Sequence, residues 1–271
     1  MSEKLQKILA NAGLGSRREM ETWIESGRVS VNGELASLGD RATHVDQIRV
    51  DGRLIRTKPH ERQRTRVIIY NKPEGEICSR DDPEGRPTVF ECLPNIRAGR
   101  WISIGRLDIN TNGLLLFTND GELANLLMHP SSEIEREYAV RVLGEVDKKI
   151  LTSLRTGVKL DDGMAAFDEV SERGGEGANQ WYHVVLKEGR QREVRRLWES
   201  QGVKVSRLIR VRFGNIELPR ELRRGRWEEL SVPDVNRLKS LVGLVELPED
   251  KPKRRQSQRR RTSNKRNRRH D

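Results

Sequence analysis

Apolar residues at Leu5, Ile8, Leu9 and Ala12 recur with the spacing of one helix face, and Gly13 stands where that helix should stop. A second helix is predicted from Ser16, which with Glu19 makes a capping box ahead of Met20, Trp23 and Ile24, and Gly27 marks its end. The pattern then shortens. Val29, Ser30 and Val31 run into Asn32-Gly33, and Ile48, Arg49 and Val50 run into Asp51-Gly52, both dipeptides of tight hairpin turns. Residues 1–62 therefore read as a small module of two helices followed by hairpin strands.

The polar, charged stretch at residues 57–64 reads as a linker, and the apolar run 67–70 opens a larger second unit. Strand-like segments at 137–142, 181–186 and 208–213 alternate irregularly with helical ones at 122–128, 148–154 and 192–201. Several connections are too short for parallel crossovers, so the expected class is α+β with a mixed, mainly antiparallel sheet. No repeat of fixed period is present. The expected division is a small module at 1–62, a larger domain at 66–247 and a tail at 248–271.

Charge changes this picture mainly at the C-terminus. Of 52 Lys+Arg and 41 Asp+Glu in 271 residues, for a net charge of +11, the segment 251–271 holds 11 basic residues and one acid. The expectation is a near-neutral body carrying a disordered polycationic tail, which points to a polyanionic partner such as nucleic acid. A membrane span needs about 18 apolar residues, and the longest run noted is 114–117. Met1-Ser2-Glu3-Lys4 leads into a charged amphipathic pattern with no apolar signal core, so secretion is not expected. Two cysteines, Cys78 and Cys92, lack metal-ligand spacing and fit a reducing cytoplasm.

Candidate chemistry concentrates in two segments. Gly105-Arg106-Leu107-Asp108-Ile109-Asn110-Thr111-Asn112-Gly113 is a polar loop between glycines that runs straight into the apolar Leu114-Leu115-Leu116-Phe117, which sets Asp108 on a rigid edge. Asp108 also suits an Asx turn or a cap. The spacing imitates the first half of a calcium loop, but Asn119 stands where the bidentate glutamate is required and Leu116 occupies the ninth position. The second segment, Glu188-Gly189-Arg190-Gln191-Arg192-Glu193-Val194-Arg195-Arg196, puts four arginines at a helix start, as a solvated face or as phosphate clamps. Tyr138 is an aromatic in a strand, either core or a platform for a base. Asn71-Lys72-Pro73-Glu74-Gly75 is a turn after a strand. The five histidines are scattered without ligand spacing, and no serine or cysteine triad suggests itself.

Together these segments resemble the RsuA/RluB-type ribosomal RNA pseudouridine synthases over residues 3–247. Gly105-Arg106-Leu107-Asp108 with Thr111, Gly113 and Leu114 is similar to that family's signature around its catalytic aspartate, Lys72-Pro73 and Gly75 to its first motif, and Arg190 to Arg196 to its third. The first 62 residues look like the small RNA-binding domain of a ribosomal small-subunit protein, the ribosomal-protein-S-four type. Residues 81–90, the glycine-rich stretch 174–177 and residues 192–199 are similar to the family's large-subunit branch.

The resemblance implies isomerisation of a uridine to pseudouridine in large-subunit ribosomal RNA, free or in an assembly intermediate, without metal or organic cofactor, and nothing in the chain demands more than a monomer. It implies Asp108 as nucleophile, Arg195 as its ion-pair partner and Tyr138 stacking on the target base. It further implies substrate contacts from Arg106, Thr111, Lys72, Arg190, Arg192 and Arg196, and RNA contacts from Ser16, Arg17, Arg18 and Arg28 in the first module. The competing readings are a small-subunit rRNA pseudouridine synthase and a ribosome-associated RNA-binding protein without catalysis.

Overall fold

A computed structural model describes residues 2–57, 64–96, 99–177 and 179–248. In the N-terminal unit, β1 (Glu3–Lys4) leads into α1 (Leu5–Asn11) and α2 (Arg17–Glu25), followed by β2 (Val29–Val31), β3 (Glu34–Leu35), β4 (Arg41–Ala42), β5 (Ile48–Val50) and β6 (Arg53–Leu54). Leu5, Leu9, Met20 and Ile24 bury the predicted helix faces against Val29 and Ile48. The capping box at Ser16 is formed: Glu19 N–H donates to Ser16 Oγ at 3.0 Å, and Ser16 N–H donates to Glu19 Oε2 at 3.2 Å. β3, β2, β5 and β6 make an antiparallel sheet. Asn32-Gly33 and Asp51-Gly52 all have positive φ, as hairpin turns of the mirror-image type require. The pairing of β1 with β4 was not legible, because two-residue strands are too short to display an alternation.

The larger unit begins with β7 (Val67–Lys72), β8 (Ile102–Ile104), β9 (Asn112–Thr118), α3 (Gly121–Met128), β10 (Arg136–Leu143) and α4 (Lys148–Thr156). It continues through β11 (Val158–Leu160), β12 (Gly163–Ala165), β13 (Glu169–Glu176), β14 (Asn179–Leu186), α5 (Glu193–Glu199), β15 (Lys204–Phe213), β16 (Ile216–Glu217), β17 (Trp227–Glu229) and α6 (Val232–Leu241). A nine-stranded sheet runs in the order β13-β14-β10-β15-β9-β7-β17, with β16 on β15 and β8 on β9. β9 and β15 are parallel, whereas β10 with β14, β10 with β15 and β7 with β9 are antiparallel. The fold is the α+β class expected.

β9 is buried along its whole length, which explains why its sequence is continuously apolar instead of alternating. Leu114 and Leu116 join Val67 and Ile69 beneath α3 and α6. Leu115 and Phe117 pack on the opposite face with Ile68, Tyr70, Trp101 and Leu107. A third cluster unites β10, β14 and β15 with Leu154 of α4 and with Leu197 and Trp198 of α5.

Two boundaries and one element depart most from the sequence pattern. β15 starts at Lys204, not at 208, because its pairing with β10 carries through the exposed Lys204, Ser206 and Arg207. α5 is confined to 193–199, since Arg192 has φ of 50° and cannot join a right-handed helix. α6 was not anticipated; its buried residues are Val235, Leu238 and Lys239, too few apolar positions for a clear stripe. The expected polybasic tail, at 248–271, lies outside the described residues beyond position 248.

Candidate active site

The segment between β8 and β9 forms a loop whose backbone is held from two sides. Lys72, at the end of β7, has no exposed surface, and its Nζ donates to the carbonyl oxygens of Pro73 (3.0 Å), Asp108 (3.2 Å), Ile109 (3.4 Å) and Thr111 (3.1 Å). Arg195 of α5 donates through Nη2 to the carbonyl of Asn110 at 2.7 Å and through Nη1 to that of Val205 at 3.0 Å. All four carbonyls from 108 to 111 are thus held by two buried cations. The Thr111 N–H donates to the Asp108 carbonyl at 3.0 Å and the Gly75 N–H to the Ile109 carbonyl at 2.9 Å, closing the loop against the turn after β7.

This scaffold works on the main chain and leaves the Asp108 carboxylate free. Leu107 is buried in the cluster around Trp101 and Phe117, while the next residue, Asp108, is partly exposed. Among the described residues the Asp108 carboxylate has no hydrogen-bond or ion-pair partner. An exposed carboxylate on an immobilised backbone can act as a nucleophile or a base without first breaking a protein contact. Tyr138, on β10, is half-buried and packs against both the Leu107 cluster and the cluster beneath β14. In the sheet it stands directly opposite Arg210 of β15, and Arg210 in turn opposite Gly113 of β9.

The electrostatics follow from burial. Burial pushes the Lys72 ammonium below the usual lysine range, opposed by the charges of Cys78, Glu76, Asp108 and Glu74. Burial and then the neighbouring Arg192 push the Arg195 guanidinium down, opposed by Asp108, Glu199 and Glu74. Asp108 therefore lies in the field of both cations. The expected direct ion pair is replaced here by an indirect arrangement: no carboxylate lies within 4.0 Å of Arg195 among the described residues, because its N–H groups are directed at backbone carbonyls.

The other residues singled out divide clearly. Lys72, expected at the substrate, is fully enclosed and grips the loop from inside. Thr111 is also buried, whereas Arg106 is exposed. Arg196 makes a bidentate pair with Asp162 (2.8 Å for each bond), and Arg190 pairs with Glu188 at 2.5 Å, so both are committed to protein carboxylates. Arg192 is more open, with Glu199 at 3.8 Å. In the N-terminal unit, Ser16 caps α2, Arg17 and Arg18 are exposed, and Arg28 is paired with Asp51 and lies 4.2 Å above the Trp23 ring.

Arg210 was missed. It is 2% exposed, donates through Nε to the Leu114 carbonyl at 2.7 Å, and has its guanidinium 5.4 Å from the Phe213 ring. Its position two residues after Leu208, on the inward parity of a strand, was the available signal.

Residues 66–200 match the family model described as RNA pseudouridylate synthase, and residues 3–48 match that described as S4 domain. Ribosomal large subunit pseudouridine synthase B of Salmonella typhimurium is 63% identical over 250 residues, covering 92% of this chain and 85% of the relative. The protein of the same name from Yersinia pestis is 59% identical over 262 residues, covering 94% and 82%. A solved structure titled as a pseudouridylate synthase superposes with a TM-score of 0.61 at 26% identity, covering 87% of this chain and 99% of that one. Identity of this degree over nearly the whole chain leaves one conclusion: the chain belongs to the RNA pseudouridylate synthase family, in a form with an N-terminal S4 domain.

Proposed function

We propose that this protein converts a specific uridine of large-subunit ribosomal RNA to pseudouridine, with Asp108 as the catalytic carboxylate. The observation that carries the assignment of Asp108 is the loop scaffold: four successive carbonyls are tied down by Lys72 and Arg195 while the Asp108 side chain stays unengaged. The substrate assignment draws on the names of the relatives from Salmonella typhimurium and Yersinia pestis.

The reaction breaks the bond between the sugar and a ring nitrogen of uracil and rejoins the same base through a ring carbon. The ring carbon gives up a proton and the ring nitrogen gains one, so no co-reactant is consumed. The protein must supply a carboxylate near the sugar and a surface that keeps the detached base in place. In this reading Asp108 is the nucleophile and Tyr138 stacks on the base, worth about 1–3 kcal/mol. That is comparable with the few kcal/mol spent in turning a nucleotide out of a stack. Arg195 acts through the loop as a positioning residue. Arg106, Arg192 and the arginines of the N-terminal unit contact the RNA backbone, and the enzyme works as a monomer in the cytoplasm on free rRNA or an assembly intermediate.

The test is incubation of unmodified large-subunit rRNA with the wild type and with Asp108→Asn, followed by chemical mapping of pseudouridine. The amide preserves the side chain's shape and none of the loop's bonds depend on the carboxylate, so RNA affinity should stay within about twofold while product formation disappears. Product formed by a folded Asp108→Asn protein would refute the assignment.

A further inference from the structure

The N-terminal unit and the larger domain meet at a cleft that the reaction itself does not require. One wall is Ala10, Asn11 and the start of α2 with Arg17 and Arg18; the other is Arg100 and Ile102 with the start of α3. The two backbones approach closely where a Cβ on Gly13 would come within 2.8 Å of the Gly99 carbonyl oxygen. Arg17 spans the seam, its Nη2 being 3.8 Å from where a Cβ on Gly121 would lie.

Three arginines from the two units therefore line one cleft, Arg17 near enough to Arg100 to act on its charge, and none has a carboxylate within 4.0 Å among the described residues. Burial and then the charge of Arg17 push Arg100 below the usual arginine range, against the charge of Glu19. Glu19 is already committed as the acceptor of the Ser16 N–H in the capping box. Converging like charges with their nearest carboxylate occupied make a site for an anion.

We infer that this seam is a composite RNA-backbone site, in which Arg17 and Arg18 of the S4 unit and Arg100 of the catalytic domain grip a phosphodiester of the same RNA that reaches Asp108. The inference rests on the RNA-modifying reading above. The cleft's volume of about 260 Å³ is small for an organic ligand but sufficient for a phosphate on a chain passing over it. Among the described residues no aromatic lines it, so they offer a base nothing to stack on and suit backbone, not sequence. Arg100 and Arg106 flank β8, and six residues of extended chain span at most about 22 Å. One RNA segment can therefore engage the seam and the catalytic loop together, which would make the S4 unit a fixed ruler rather than a tethered anchor.

Arg17→Ala, Arg100→Ala and the double variant decide this by equilibrium binding to an unmodified rRNA transcript across a salt series, with single-turnover rates alongside. Each single change should weaken binding roughly tenfold and make log K against log[salt] shallower by about 0.7–0.9 per lost contact. The double variant should be little worse than the weaker single, since both residues hold one phosphate, and raising the enzyme concentration should recover the rate. Arg100→Lys, which keeps the charge, should recover most of the salt slope.

Unchanged affinity and slope in Arg100→Ala, full additivity with Arg17→Ala, or no recovery of slope by Arg100→Lys would each overturn the inference. A wild type that forms no pseudouridine on the transcript would instead overturn the functional reading on which it rests.

Discussion

Lys72 and Arg195 come from elements far apart in the chain and hold the backbone of one loop, which makes them structural and functional at once. A buried ammonium is costly, so replacing Lys72 with an apolar residue of similar length removes a penalty. It also removes a donor from four carbonyl oxygens, of which those of Asp108 and Ile109 keep the N–H of Thr111 and Gly75 while those of Pro73 and Thr111 lose the charged partner. At about 1–3 kcal/mol for each buried group left unpaired, the second effect is the larger. Lys72→Met should therefore lose about 2–4 kcal/mol of stability in denaturant unfolding, and the turnover rate should fall while RNA affinity changes little. A variant as stable as the wild type would show that the loop does not depend on this clamp. The presence of Lys72 in a conspicuous turn was legible in the sequence, but its partners were not, because a lysine after a strand is as often solvated as enclosed.

At the scale of elements, glycine positions that look alike in sequence carry different constraints. Gly33 has φ of 97° in the β2–β3 turn, and a Cβ there would meet nothing within 4 Å. Gly113 has φ of 101° at the start of β9, where a Cβ would lie 2.3 Å from the Arg210 carbonyl oxygen and 2.8 Å from its nitrogen. The parallel contact between β9 and β15 therefore depends on the missing side chain. Gly33→Ala should cost about 1 kcal/mol, the strain of a left-handed alanine. Gly113→Ala should cost more than about 3 kcal/mol, because two central strands must separate, and should reduce activity by displacing Asp108. Thermal unfolding and turnover of the two variants check the contrast, and equal losses would remove the argument. The hairpin dipeptides, capped helices and apolar runs were readable because each is a local feature. The short strands β8, β16 and β17 were not, since pairing in the sheet, not their own pattern, defines them, and α6 was not, since it buries too few apolar residues to show a stripe.

For the whole molecule, the charge is divided by function. The segment 251–271 supplies 11 of the 52 basic residues and one of the 41 acidic ones, so it accounts for nearly all of the net +11. Deleting it should weaken RNA binding and flatten the salt dependence, while the single-turnover rate at saturating enzyme stays within about twofold. An unchanged salt slope in the truncated protein would count against it. In the remaining body most of the catalytic-domain arginines singled out are spoken for: Arg196 by Asp162, Arg190 by Glu188 and Arg195 by carbonyls. Of the arginines singled out, Arg106 beside the catalytic loop and Arg192 at the start of α5 stay open, as do Arg17, Arg18 and Arg100 at the seam.

By itself the sequence determined the two-unit organisation, the α+β class, the hairpins and the loop around Asp108, because periodicity, capping and turn chemistry act over a few residues. Only the tertiary structure decided which cations serve that loop. A guanidinium can donate to a carboxylate, a carbonyl or a phosphate, and the choice is made by which of these the packing of distant strands brings within about 3 Å.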